Sequence, residues 1–154
     1  MFKKILIAED IDSIQNSVIS QITELTNAEI HLAKYCDEAY LKIKKAILDE
    51  EPFDLLITDL SFKQDHRDVI LNSGEDLIKA VRESLPNIKI IVYSIEDKSY
   101  KIKHLFEECA INGYVSKGRN GTAELEKALV SLAQNNENYI DSKLEHIVKT
   151  SKII

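Results

Sequence analysis

The stretch Asp54-Leu55-Leu56-Ile57-Thr58-Asp59 decides the fold class of this chain. Its four central residues are apolar or β-branched, a pattern typical of a parallel strand covered on both faces. Similar runs lie at residues 3–8 and 88–93. Stretches with apolar residues at helical spacing separate these runs. The sequence therefore predicts strand–helix–strand units and a parallel sheet.

Five strands alternate with five helices in this interpretation. The strands are predicted at residues 3–8, 29–33, 54–58, 88–93 and 114–115. The helices are predicted at residues 11–25, 37–49, 73–85, 98–109 and 122–134, and a short last helix at 141–149. Asp12 or Ser13 is expected to cap the first helix. Right-handed crossovers place helices on both faces. The prediction is an α/β, doubly wound, five-stranded parallel sheet.

Composition limits the partners that this chain can bind. The 154 residues fit one domain, which we place at residues 1–135, with 136–154 as a linker or a short C-terminal helix. The net charge of −6 makes the chain a poor electrostatic match for DNA. The apolar run at residues 5–8 is too short for a signal peptide or a membrane span. We therefore expect a cytoplasmic protein with no membrane partner.

Chemically reactive residues follow the predicted strands. The first strand ends in Glu9-Asp10, the third in Asp59 and the fourth in Ser94, and Lys117 follows the fifth. In an open doubly wound sheet, ligands bind at the carboxyl ends of the strands. Clustered carboxylates repel each other, and Mg²⁺ with its preference for hard oxygen ligands relieves that repulsion. An aspartate surrounded by Mg²⁺, an ammonium group and a hydroxyl is suited to phosphoryl transfer.

These residues, in this order, resemble the site of response-regulator receiver domains, the CheY-like superfamily. The resemblance covers residues 3–134 and implies the strand order 2-1-3-4-5 of a flavodoxin-like (βα)5 fold. It identifies Asp59, in Leu55-Leu56-Ile57-Thr58-Asp59-Leu60, as the phosphoacceptor. It assigns the other roles by position: Mg²⁺ ligands Glu9, Asp10 and Asp59 with the backbone carbonyl of Ser61, the invariant-type lysine Lys117, and the switch residues Ser94 and Tyr114.

The resemblance also implies a mechanism and partners. A sensor histidine kinase would transfer its phosphoryl group to Asp59, Ser94 would turn towards it, and Tyr114 would rotate inward. The chain would catalyse its own phosphorylation and dephosphorylation without being a turnover enzyme. Phosphorylation would produce a homodimer. DNA would be reached only through a C-terminal domain that this chain does not contain, giving control of transcription.

Three features depart from the usual receiver pattern. We infer an insertion at residues 64–72, because Gly74 comes about seven residues later than the glycine that opens the third helix in the family. The insertion contains His66, which we expect to be solvated, and we expect it to contact the kinase or a neighbouring subunit. Gly118 stands where proline is commonest, a variant seen in receivers joined to LuxR-type DNA-binding domains. Ile95 replaces a small residue after the switch hydroxyl.

Several alternatives remain open at this point. Residues 138–144 resemble the segment that leads into a LuxR-type domain, but a stand-alone receiver acting by protein–protein contact is also possible. A haloacid-dehalogenase-type phosphatase would want an aspartate at position 61, which is Ser61. A flavodoxin-like FMN carrier would want a Ser/Thr/Gly-rich loop after the first strand. A receiver-like module that never meets phosphate is the last alternative.

Overall fold

A parallel β-sheet lies between two layers of helices in the computed structural model, which describes residues 1–63 and 70–145. The strand order is β2-β1-β3-β4-β5-β6, so the predicted order 2-1-3-4-5 is confirmed and a short sixth strand is added beside β5. The strands are β1 Lys4–Ala8, β2 Glu29–Ala33, β3 Leu55–Thr58, β4 Lys89–Ser94, β5 Gly113–Ser116 and β6 Tyr139–Ile140.

Helices cover both faces of the sheet. Both faces are apolar, because successive apolar residues of a strand point to opposite sides. The helices are α1 Asp12–Leu25, α2 Cys36–Leu48, α3 Gly74–Ser84, α4 Ser99–Glu108 and α5 Gly121–Gln134. In β1, Leu6 belongs to the core under α2, α3 and α4, whereas Ile5 and Ile7 belong to the core under α1 and α5. The central strands β1, β3 and β4 are buried except at Lys4 and Lys89, the first residues of β1 and β4, as their apolar sequences predict.

The start of α1 differs from the prediction. Neither Asp12 nor Ser13 is the cap, since the N-cap residue is Ile11. The Ile11 amide donates instead to the Glu9 carboxylate, at 3.1 Å. The carboxylate before the helix therefore binds the first free amide, which is favourable at the positive end of a helix.

The C-terminal region also differs from the sequence analysis. Residues 139–140 form β6 and residues 142–144 form a turn, where a helix was predicted to begin at residue 141. Residues 146–154, including the rest of that predicted helix, lie outside the described residues. Ile140 and Leu144 are buried in the core under α2, α3 and α4. No pattern in the sequence predicted that this region joins the sheet.

The two edges of the sheet are chemically different. Asp54 precedes β3, and its carboxylate accepts the amide protons of Lys3 and Lys4 at 2.8 and 3.0 Å. Asp54 therefore lies at the edge opposite Asp59, which follows the same strand.

In the described part of the chain, no helix has the length and apolarity needed to cross a bilayer.

The predicted insertion at residues 64–72 falls partly outside the described residues, which resume at Ile70. The amides of Ile70 and Leu71 donate to the Asp37 carboxylate at the start of α2, at 3.0 and 2.8 Å. Lys63, on the other side, donates its amide to Asp10 at 2.7 Å. Lys63, just before the predicted insertion, and Ile70 and Leu71, near its end, are thus held by carboxylates at the carboxyl edge of the sheet.

Candidate functional site

Lys117 joins two of the predicted site carboxylates. Its Nζ atom lies 2.6 Å from Asp59 Oδ2 and 2.6 Å from Glu9 Oε1. All three side chains are about nine-tenths buried or more, with relative exposures of 10% for Lys117, 9% for Asp59 and 4% for Glu9. The ends of β1, β3 and β5 therefore converge on one ion-pair cluster, as the sequence predicts.

Burial and charge act in opposite directions on this cluster. Burial raises the pKa of Glu9 above its ordinary value, and the hydrogen bonds from Lys117 and the Ile11 amide offset this only in part. Burial alone would lower the pKa of Lys117, but its hydrogen bonds to Asp59 and Glu9 outweigh burial and raise it. Lys117 is therefore a firmly charged ammonium group, whereas burial disfavours the ionised form of Glu9.

Asp10 is oriented differently from Glu9. It is half-buried, and its Oδ2 atom accepts the Lys63 amide at 2.7 Å. Asp10 thus links the end of β1 to the loop that follows Asp59. Ser61, two residues after Asp59 in that loop, is exposed. The role of its carbonyl as a metal ligand stays a prediction.

The two predicted switch residues lie together beside the cluster. Ser94 is buried at the end of β4, and its hydroxyl accepts the Glu96 amide at 3.2 Å. Tyr114 is fully buried, and its hydroxyl donates to the Glu96 carbonyl at 2.6 Å. Burial raises the pKa of Tyr114, while a side-chain hydrogen bond with Ser94 lowers it in part. The tyrosine side chain lies inside the fold in this structure, and its rotation on phosphorylation stays a prediction.

Gly74 packs directly against the backbone of Asp59, although it comes late in the sequence. A Cβ atom built on Gly74 would lie 1.9 Å from the Asp59 carbonyl oxygen and 2.7 Å from Leu60 Cα. The Gly74 amide donates to the Leu60 carbonyl at 2.9 Å. Ser73 caps the helix by accepting the Asp76 amide. The start of α3 therefore lies against the loop that carries Asp59, despite the longer connection.

Known structures resemble this chain over most of its length. The isolated receiver (REC) domain of RcsB from Salmonella enterica serovar Typhimurium, with the phosphomimetic BeF3⁻, is 21% identical with a TM-score of 0.74, covering 95% of this chain and 98% of that one. A LuxR-family two-component response regulator from Aurantimonas sp. SI85-9A1 is 15% identical with a TM-score of 0.81, covering 100% of both chains. The chain has the receiver-domain fold. RcsB dimers bound to two parallel DNAs match at 20% identity and a TM-score of 0.75, covering 96% of this chain and 67% of that one. No protein-family model and no curated protein matches the sequence.

The side chains at the predicted metal site suit Mg²⁺ in chemistry but are not arranged around one point. The carboxylates of Glu9, Asp10 and Asp59 are the hard oxygen donors that Mg²⁺ prefers. Within residues 1–63 and 70–145, however, no three His, Cys, Asp or Glu side chains are grouped closely enough to hold a metal ion. Lys117 joins Glu9 to Asp59, and Asp10 binds the Lys63 amide instead. The donor set fits Mg²⁺ in chemistry, and the site itself stays a prediction.

Two buried carboxylates near this edge were missed by the sequence analysis. Glu124 in α5 accepts hydrogen bonds on Oε1 from Tyr139 Oη and from the Ser142 amide and hydroxyl, at 2.9, 2.7 and 2.8 Å. Asp141 is fully buried, and its carboxylate accepts the Ser116 amide at 2.9 Å. Neither carboxylate follows one of the predicted strands, and Glu124 lies in a helix that also carries Glu126. Their partners lie 15–25 residues away along the chain, and no local pattern indicates them.

Proposed function

We propose that this chain is the receiver of a two-component response regulator, which accepts a phosphoryl group on Asp59 from a histidine kinase. The observation that carries the proposal is the contact of Lys117 Nζ with both Asp59 and Glu9, at 2.6 Å each. This contact lies at the carboxyl edge of a receiver-type sheet. A buried lysine beside an aspartate at the end of a central strand is what phosphoryl transfer to a carboxylate needs.

The chain's own residues account for the transfer step. A carboxylate oxygen of Asp59 forms a bond to phosphorus while the phosphorus–nitrogen bond of the kinase phosphohistidine breaks, leaving the imidazole with the electron pair. Lys117 neutralises negative charge on the phosphoryl oxygens. It is already charged and already within hydrogen-bond distance of Asp59, so little reorganisation is needed. Ser94 offers a hydroxyl at the neighbouring strand end.

Mg²⁺ would be held by Glu9, Asp10, Asp59 and the carbonyl of Ser61. When bound, it would supply positive charge that stabilises the transferring phosphoryl group. Asp10 would then exchange the Lys63 amide for the ion. Hydrolysis of the acyl phosphate by water would reset Asp59, so the chain acts as a self-modifying phosphoacceptor and not as a turnover enzyme.

Dimer formation and control of transcription are proposed from the solved structures that this chain resembles. RcsB forms dimers bound to DNA, and the Aurantimonas protein is a LuxR-family regulator. By analogy, we propose a homodimer on phosphorylation and control of transcription in the cytoplasm through a separate DNA-binding domain. The acidic net charge of −6 supports assigning DNA contact to another domain.

The decisive experiment is labelling with acetyl phosphate and Mg²⁺, followed by intact-mass measurement. The wild-type chain should gain one phosphoryl group, and Asp59→Asn should gain none. Asp54→Asn is the matched control, because Asp54 flanks the same strand at the opposite edge. Stoichiometric labelling of Asp59→Asn would overturn the assignment. Steady phosphate release over many turnovers would favour the phosphatase alternative.

Mg²⁺ binding is tested by titration with the ion alone. We expect weak binding, because Mg²⁺ keeps several of its waters and takes few protein ligands. Asp10→Ala should weaken it by about tenfold or more, whereas Asp54→Asn should leave it unchanged. Equal losses in the two variants would place the ion elsewhere.

A further inference from the structure

Residues 139–144, here called the C-terminal segment, lie along the outer edge of β5. The amides of Tyr139 and Asp141 donate to the carbonyls of Asn112 and Tyr114, each at 2.9 Å. Ile140 is 6% exposed and Leu144 is 4% exposed. The C-terminal segment is therefore docked by backbone hydrogen bonds and by apolar packing, beside the strand that carries Tyr114 and leads to Lys117.

Asp141 contributes the polar contact of the C-terminal segment that lies closest to the site. Its Oδ2 atom accepts the Ser116 amide at 2.9 Å, and its Oδ1 atom accepts the Lys143 amide at 3.0 Å. The residue is 0% exposed. A carboxylate buried this deeply is costly unless hydrogen bonds compensate its charge. A turn of this kind does not require a fully buried carboxylate, so the placement calls for a further role.

Ser116 is the residue through which Asp141 reaches the site. It is the last residue of β5 and pairs with Ser94 of β4. The next amide, that of Lys117, donates to the Ser94 carbonyl at 2.9 Å. The backbone that carries Lys117 is thus held from one side by Ser94 and from the other side by Asp141. The backbone amides of Ser116 and Lys117 make these two contacts, and the Lys117 side chain extends from this part of the backbone.

We propose that Asp141 is a positioning residue for Lys117, which makes the C-terminal segment part of the phosphoryl-transfer site. The proposal rests on the proposed function of Asp59. Loss of the Asp141–Ser116 contact frees the end of β5, and the Lys117 ammonium group then loses its close placement on Asp59. By linkage, any change in how Lys117 is held also changes how firmly the C-terminal segment is docked.

Glu124 provides a matched control, because it holds the same C-terminal segment through contacts with Tyr139 and Ser142 and not through Ser116. It accepts hydrogen bonds from these two residues, and Lys127 Nζ lies 3.1 Å from its Oε2 atom. Glu124→Gln therefore loosens the segment from the side of α5. Asp141→Ala loosens it from the side of β5. A general stabilising role of the segment would make the two variants behave alike.

The first measurement is the initial rate of labelling by acetyl phosphate at saturating Mg²⁺. Asp141→Ala should be slower than the wild type by about tenfold to a hundredfold, as expected for a misplaced catalytic group. Glu124→Gln should stay within about twofold of the wild type. Asp141→Asn, which keeps an acceptor for the Ser116 amide, should recover most of the rate. Equal slowing of Asp141→Ala and Glu124→Gln would overturn the proposal.

The second measurement does not depend on phosphorylation. Hydrogen exchange of the Lys117 amide, which is bonded to Ser94, should be faster by about tenfold in Asp141→Ala and close to the wild-type rate in Glu124→Gln. Unchanged exchange at Lys117 in folded Asp141→Ala would overturn the proposal, whether or not Asp59 is labelled. A wild-type chain that is never labelled would refute the proposed function while leaving this test intact. If Asp141→Ala does not fold, the same comparison is made with Asp141→Leu, which fills a similar space without an acceptor for the Ser116 amide; a rate and an exchange equal to those of Glu124→Gln would then overturn the proposal.

Discussion

At the scale of single residues, Glu9 is a buried carboxylate of the candidate site that lowers the stability of the folded chain at neutral pH. Lys117 can balance one carboxylate fully, but it is shared between Glu9 and Asp59. Burial raises the pKa of Glu9 despite this contact. A carboxyl group with a raised folded-state pKa contributes stability at low pH, and that contribution is lost as the pH rises through the raised value. At neutral pH the ionised Glu9 is therefore a cost to the fold.

Glu9→Gln should accordingly raise the melting temperature at neutral pH in Mg²⁺-free buffer. The expected gain is about 2–4 °C, which corresponds to about 1 kcal/mol for a domain of this size. The gain should shrink as the pH falls to about 4, where the wild-type side chain is itself protonated. The measurement is thermal unfolding at both pH values. A lower melting temperature at neutral pH would mean that the contact with Lys117 outweighs burial.

For Glu124, in contrast to Glu9, hydrogen bonds outweigh burial in setting the pKa. Burial would raise its pKa, but the Ser142 amide and hydroxyl, Lys127 and Tyr139 lower the pKa to about 2. A carboxyl group with a lowered pKa contributes stability above its ordinary value of 4.5, and that contribution is lost as the pH falls towards about 2. Glu124 thus stabilises the folded chain at neutral pH.

Glu124→Gln should lower the free energy of unfolding at neutral pH by about 2 kcal/mol, because a charged acceptor with several donors is replaced by a neutral one. The difference from the wild type should narrow between pH 4.5 and about 2. Urea unfolding across this range measures it. A difference that does not depend on pH would show that the carboxylate charge is not what stabilises the contact.

At the scale of elements, the start of α3 is fitted to the loop that carries Asp59. Residue 74 has no space for a side chain, since a Cβ atom there would meet backbone atoms of Asp59 and Leu60 that cannot rotate away. Gly113 in β5 is less constrained, because a Cβ atom there would lie 3.2 Å from a side-chain atom of Ile91. A side chain can adjust its position to relieve such a contact, whereas the backbone of a packed loop cannot.

Gly74→Ala should therefore destabilise the chain by about 3 kcal/mol or more, and Gly113→Ala by about 1 kcal/mol. Gly74→Ala should also slow labelling of Asp59, because relief of the clash must shift the Asp59 backbone or the start of α3. Denaturant unfolding and the acetyl phosphate assay measure the two effects. Equal stability of the two variants would contradict the close packing of α3 against this loop.

At the scale of the whole molecule, the C-terminal segment extends the sheet and closes the core beside β5. It buries Ile140, Leu144 and the acidic residue Asp141, and it forms hydrogen bonds to both β5 and α5. A domain boundary at residue 135 would cut these contacts. The region was interpreted from sequence as a linker or short helix because residues 138–144 resemble the segment that leads into a LuxR-type DNA-binding domain.

A chain that ends at residue 135 should be less stable than one that ends at residue 145 by about 3 kcal/mol or more, given that each large apolar side chain removed from a core costs about 2–5 kcal/mol. Urea unfolding of the two chains makes the comparison. Equal stability would show that residues 136–145 form a linker that contributes little to the core.

Local sequence patterns were sufficient to predict a parallel sheet with helices on both faces and the edge at which the site lies, whereas the strand order was implied by the resemblance to receiver domains. Short apolar runs such as residues 55–57 have the pattern of covered parallel strands, and parallel strands must present their carboxyl ends at one edge. Glu9, Asp59, Ser94 and Lys117 could therefore be placed together before any tertiary contact was known.

The pairing of those residues, and the contacts that support them, depend on the folded chain. That Lys117 binds Glu9 as well as Asp59, that Asp10 binds the Lys63 amide, and that Asp141 holds Ser116 are contacts between distant parts of the chain. Periodicity reports which side of an element is buried, because burial repeats with each turn or each pair of residues. A single hydrogen bond between distant segments leaves no periodic pattern in the sequence. Its partners can therefore be identified only from the folded chain, in which the sheet and helices bring them within about 3 Å of each other.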